Sequence, residues 1–228
     1  MTIVSCAACA AVAESQRMDR RFLLFFALVS ALLTAAGLGG LDRPLAEWVH
    51  ASGVENARVF AWGLAALDVV SGLRVWIWLL GWIAIVIGTL ELAWQRRVRF
   101  GHALIAAGLV QFAALQTMIA GKELFGRSRP FQVLASGDWS HVWFAGGESF
   151  PSGHSAFYFG FLLTLAAACP IRWLRIVLVA IAVYVVIARI DLAKHFLSDV
   201  SASALIISIY ALFAAWLVRR WLPPPARA

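Results

Sequence analysis

Residues 22–41 read FLLFFALVSALLTAAGLGGL, an uncharged run of 20 residues. As a helix rising 1.5 Å per residue it spans about 30 Å, the thickness of bilayer hydrocarbon. Five more apolar stretches follow: Val75–Trp94, His102–Gly121, His154–Cys169, Ile176–Ala188 and Val200–Val218. The fourth and fifth of the six are short, and span only if the flanking residues continue their helices. The pattern predicts an all-α polytopic membrane protein, a bundle of six transmembrane helices. Composition agrees. The 228 residues are 62% hydrophobic and 14% charged, with a mean hydropathy of +0.83. A soluble domain is about 45–50% apolar and about 25% charged. A water-soluble fold and a disordered chain are both excluded.

The net charge is +7. In a soluble protein this would suggest nucleic acid. Here the arginines sit between spans: Arg17, Arg20 and Arg21 before the first, Arg96, Arg97 and Arg99 between the second and third, Arg172 and Arg175 between the fourth and fifth, and Arg219, Arg220 and Arg227 after the sixth. With six spans all lie on one side, which the positive-inside rule makes cytoplasmic. Both termini are then cytoplasmic, and segments 122–153 and 189–199 face outward. Trp76, Trp78, Trp82, Trp94, Trp173, Trp216 and Trp221 fall near span ends, as an aromatic belt does.

Residues 1–17 have no positive n-region, so they are read as a tail or an over-extended start rather than a signal peptide. The membrane domain is assigned to 18–222 and a C-terminal tail to 223–228. Cys6 and Cys9 form a C-x-x-C without the second pair or βαβ pattern that redox or metal sites carry, and Cys169 is read as packing. Between the first two spans, Asp42 to Arg74 carries apolar residues at helical spacing. It reads as a connecting helix on the outer surface, with a lid over the lipid entrance as the alternative.

Three outward segments concentrate polar groups. Lys122, Arg127 and Arg129 lie within GKELFGRSRP, cations on the side the topology rule depletes, and guanidinium forks grip phosphate oxygens in pairs. In FPSGHS (150–155) a Pro-Ser-Gly turn opens the fourth span. Its helix N-terminus offers N–H groups to an anion, Ser152 adds a hydroxyl, and His154 can exchange a proton near neutral pH. In RIDLAKHFLSD (189–199), His195 and Asp199 are four apart, one face of a helix, so the carboxylate can hold one ring nitrogen and free the other. Together these are an inventory for phosphoryl transfer through a histidine, with no metal-like cluster beside it.

The pattern K-x6-R-P (Lys122 to Pro130), P-S-G-H (Pro151 to His154) and R-x5-H-x3-D (Arg189 to Asp199) resembles the type 2 phosphatidic acid phosphatase superfamily, and within it the bacterial membrane lipid phosphatases. The resemblance implies an integral membrane enzyme without cofactor or metal that hydrolyses a lipid phosphate or diphosphate. Candidate lipids are undecaprenyl diphosphate, lipid A, phosphatidylglycerophosphate and phosphatidic acid. The first two are favoured because an outward site meets them. It implies that His195 attacks phosphorus, Asp199 orients it, and His154 protonates the leaving group and then activates water. Lys122, Arg129, Arg189, Ser152 and the Gly153 N–H hold the phosphate. The expected setting is the inner (plasma) membrane, with the site on the periplasmic or extracellular face. One departure is Ala188, where the family usually has serine. Phosphotransfer to a second lipid and, in another class, transport of an anionic lipid are the competing readings. Transport would not need the His195–Asp199 pair.

Overall fold

The computed structural model describes residues 18–53, 57–94 and 98–221. Both tails, the Cys6–Cys9 pair and the side chains of Arg96, Arg97 and Arg99 lie outside the described residues. Among those described, nine α-helices and no strand form. They are α1 (Arg20–Ala36), α2 (Asp42–Ala51), α3 (Arg58–Val70), α4 (Leu79–Ala93), α5 (Val98–Phe125), α6 (Pro130–Ser136), α7 (Gly153–Ala168), α8 (Arg172–Asp191) and α9 (Leu197–Trp221). A π turn over Gly37–Leu41 joins α1 to α2, with Gly40 at φ 127°, a backbone conformation glycine adopts without strain.

Four stretches are long and apolar enough to cross a membrane: Arg20–Ala51, Phe100–Ser136, Arg172–Asp191 and Leu197–Val218. The short fifth apolar run thus gains its missing turns from both flanks. The fourth does not, folding as α7 with 16 residues, and the second, long enough as a run, folds as α4 with only 15.

α5, α7, α8 and α9 surround a core built on Leu115, Phe157, Leu163, Val185, Ile207 and Ala211. α1 packs on α9 and α4 on α5. Outward faces are also apolar: Phe25 and Leu32 on α1, Val86 on α4, Ile176 on α8 and Phe213 on α9 are all exposed. Apolar exposure on this scale suits hydrocarbon and not water. Trp76, Trp82, Trp94, Trp173 and Trp216, from the expected belt, are exposed as well.

α4 and α5 approach through glycines seven residues apart. A Cβ on Gly88 would lie 2.7 Å from the Gly101 carbonyl oxygen, and one on Gly108 would lie 2.7 Å from that of Gly81. Small residues let backbones meet where no hydrophobic force separates helix from lipid. Gln111 also joins helices, its Nε2 donating to the Phe157 carbonyl at 3.3 Å. Gln116 instead points outward.

The ends of the bundle differ. At one, Arg175 bonds Asp19 (2.8 Å) and the Cys169 carbonyl (2.9 Å), tying α8 to the start of α1. At the other, the C-termini of α5 and α8 and the N-termini of α7 and α9 converge. The segment expected as one surface helix forms two, α2 and α3, both packed at this end.

Candidate active site

Each polar segment is shaped by its own capping chemistry. Ser152 is the N-cap of α7, its Oγ accepting the Ser155 N–H at 3.4 Å. The Ser152 N–H donates to the Asp199 carbonyl at 3.2 Å. Ser203 Oγ donates to the carbonyls of Ser152 and Asp199, each at 3.0 Å. The Pro-Ser-Gly-His turn is thereby stitched to the first turns of α9. Asp199 Oδ2 accepts the Phe196 N–H at 2.7 Å and the Ser149 hydroxyl at 2.5 Å.

His195 is 2% exposed. Its Nδ1 lies 2.7 Å from the Ser149 carbonyl oxygen. A carbonyl only accepts, so Nδ1 carries the proton and Nε2 keeps the free lone pair. Asp199 Oδ2 is 3.7 Å from Nδ1, an ion-pair distance. The carboxylate therefore stands beside the ring, while a backbone carbonyl takes the hydrogen bond expected for Asp199. The geometry differs because Asp199 is spent on Ser149, Phe196 and Arg127. Burial pushes the His195 ring down to about 4; Arg189 adds to this, and Asp199 and the Ser149 carbonyl oppose it. The ring is thus neutral near pH 7.

The cations sort into two kinds. Lys122, Arg129 and Arg189 lie within Coulombic range of one another. Lys122 Nζ would be 3.9 Å from a Cβ on Gly153, so the ammonium stands over the N-terminus of α7. Arg189 is buried, and its Nε has no hydrogen-bond partner. A buried donor left unpaired costs about 1–3 kcal/mol, which an anion's oxygens would recover. Glu148, exposed, lies 3.4 Å from Arg129 and 4.0 Å from Lys122. A fixed anion already sits against the cradle. Arg127 belongs elsewhere. It is buried, with Nη2 2.7 Å from Asp42 and Nη1 on Asp199 and Ser198. Its guanidinium stacks between Trp143 and Phe196, at 4.3 and 4.2 Å. It is a buried clamp rather than one of the phosphate-gripping cations of its segment. Lys194 covers the Phe131 ring at 4.3 Å. Ala188 is fully buried within the main core.

His154 sits in the first turn of α7 with Nε2 3.2 Å from Asp68 Oδ2. Tyr158 donates to Asp68 Oδ1 at 2.9 Å. Burial raises the Asp68 carboxyl, but the hydrogen bonds from His154 and Tyr158 and the field of Arg189 outweigh it and hold the group below the usual carboxylate range. Asp68, Ser149 and Asp42 are the residues sequence reasoning missed at this site. For Asp68 a signal existed: it is the sole ionisable residue between Arg58 and Arg74, and a charge in an apolar helix is a functional candidate.

All eight residues expected at the site lie at this end of the bundle. The site unites two histidines with separate carboxylate neighbours, a cluster of cations and a helix N-terminus. The model of the PAP2 superfamily matches residues 96–223, more than half of the chain. The chain belongs to the PAP2 superfamily. The match spans α5–α9 of this PAP2 protein, and with them every residue of the three motifs. It leaves α1–α4 outside, so Asp42 and Asp68 are contributed by the unmatched part. Neither the curated proteins nor the solved structures gave a match.

Proposed function

We propose that this PAP2 protein is an integral membrane lipid phosphatase acting on the extracytoplasmic face. Its substrate is a lipid phosphate or diphosphate of the undecaprenyl diphosphate, lipid A, phosphatidylglycerophosphate or phosphatidic acid kind. The observation that carries the reading is the His195 tautomer. Nδ1–H is committed to the Ser149 carbonyl, so Nε2 presents its lone pair at the end where Lys122, Arg129 and Arg189 gather.

The Nε2 lone pair attacks phosphorus. A P–N bond forms, the P–O bond to the lipid breaks, and His154 gives a proton to the departing oxygen. Water then attacks the phosphohistidine, His154 takes its proton, the P–N bond breaks and inorganic phosphate leaves. The Asp199 carboxylate, 3.7 Å from Nδ1, balances the charge on the phosphorylated ring. Lys122, Arg129 and Arg189, with Ser152 Oγ and the Gly153 N–H, neutralise oxygens whose charge grows in the transition state.

The test is phosphate release by purified protein in detergent with chelator present, across those four lipids, for wild type and His195→Ala. Release that falls by at least about a thousandfold in the variant supports the phosphatase. Release unchanged in the variant overturns it. No release from any of the four lipids by folded protein also overturns it, in favour of phosphotransfer or transport.

A further inference from the structure

α3 is an apolar helix that ends against the site. Its Val59, Trp62, Val69 and Val70 are exposed, while Leu64 and Asp68, four residues apart, turn inward and are buried. The N-terminal end is pinned to α8. Asp191 Oδ2 accepts the Ala57 N–H at 3.0 Å, and the Tyr184 hydroxyl donates to the Val59 carbonyl at 2.6 Å. At the other end Ser71 Oγ is 3.1 Å from the Tyr158 hydroxyl. Docked at both ends, α3 delivers one carboxylate to one histidine. A carboxylate at 9% exposure is costly unless its charge is used. Both oxygens are: Oδ1 accepts from Tyr158, and Oδ2 faces His154 Nε2.

We propose that Asp68 is the positioning residue of His154, holding the proton on Nε2 so that Nδ1 is the nitrogen that serves the substrate. This rests on the reading of His154 as the acid and base of the phosphatase. An ionised carboxylate accepts and does not donate, so neutral His154 is the Nε2–H tautomer. When Nδ1 also takes a proton, Asp68 compensates the imidazolium against the two cations facing it, Arg189 and Lys122. His154 then donates to the leaving oxygen from Nδ1 and recovers a proton from water at the same atom. The carboxylate comes from a helix outside the family-matched segment, so His154 is completed by a part of the chain that the three motifs do not contain.

Asp68→Asn reverses the hydrogen bond. Tyr158 still donates, so the amide oxygen stays toward Tyr158 and the NH2 turns to His154. A donor facing Nε2 forces the proton of the neutral ring onto Nδ1, and no carboxylate remains to compensate the imidazolium that must protonate an alkyl leaving oxygen. The experiment compares kcat/KM for an alkyl lipid phosphate and for p-nitrophenyl phosphate, whose phenolate departs without a proton. The expected result is a loss of about 10–100-fold on the alkyl ester with less than about threefold on the aryl ester. Equal losses on both, or no loss, overturn the proposal, because a merely structural role would not distinguish leaving groups. Should the variant not fold, histidine-selective nitrogen NMR of the wild type decides. An Nε2–H tautomer at His154 supports the proposal, and an Nδ1–H tautomer overturns it. His195→Ala in the same assay separates the two readings. If it still releases phosphate, the phosphohistidine route fails. If it is inactive while Asp68→Asn shows no difference between leaving groups, only the role of Asp68 fails.

Discussion

At His195 the hydrogen-bond partner and the charge partner are different residues. The Ser149 carbonyl fixes the tautomer and Asp199 supplies the charge. Burial pushes the ring down to about 4, from an ordinary value of 6.5. Between those values the unfolded chain binds a proton that the native chain refuses, so stability rises with pH across the window. The stabilisation is full above 6.5 and is lost as pH falls toward 4. At 1.36 kcal/mol per unit, a shift of this size corresponds to about 3 kcal/mol. Thermal unfolding in detergent at pH 7 and pH 5 should show a larger drop for wild type than for His195→Asn, which cannot titrate there. Glu148 poses a second residue-scale question. Its carboxylate lies against Lys122 and Arg129, where a phosphate oxygen would compete with it. An exposed pair is worth at most about 1 kcal/mol, or about fivefold. Glu148→Gln should therefore lower the Ki of inorganic phosphate about two- to fivefold. An unchanged or higher Ki would place the carboxylate outside the anion's reach.

At the scale of elements, close approach decides the packing. Gly88 and Gly101 bring α4 and α5 together backbone to backbone, where a side chain has no room to move aside. Gly88→Leu should destabilise the protein by about 1–3 kcal/mol, read as a lower unfolding temperature in detergent. The glycines at 81, 88, 101 and 108 were visible in the sequence, as were the apolar runs and the three polar segments. Much of the bundle and all three motifs were therefore legible, because hydrophobicity and motif spacing are local properties. The length of α8 was underestimated because Arg172, Arg175 and Arg189 extend the helix while lowering its hydropathy. The Ser149–His195 bond could not be read, because a backbone carbonyl carries no sequence signature. Nor could the Asp68–His154 contact. It joins residues 86 apart and exists only through the way α3 docks on α7 and α8.

Across the whole molecule, neighbouring helices differ in reach. A Cβ on Gly108 would meet the Gly81 carbonyl, near the start of α4, yet α5 continues to Phe125. Those last turns run about 20 Å beyond the start of α4. Leu64 and Leu67 of α3, with Leu73 and Ile77 of the turns after it, pack into or against the main core. The opposite end carries Arg20 and Arg21 at the start of α1, Arg172 and Arg175 at the start of α8, and Arg220 near the end of α9. The positive-inside rule predicts that the arginine end stays in the cytoplasm and the histidines face out, which is the topology we propose. Cys169 lies at the arginine end, and Ser140 is exposed in the loop before the site. In cells carrying a variant with Cys6 and Cys9 replaced by serine, a membrane-impermeant maleimide should leave Cys169 unlabelled until the membrane is permeabilised. With Cys169 also removed, Ser140→Cys should react in intact spheroplasts. Labelling in the reverse order would turn the molecule over, and the site would then meet lipids of the cytoplasmic leaflet.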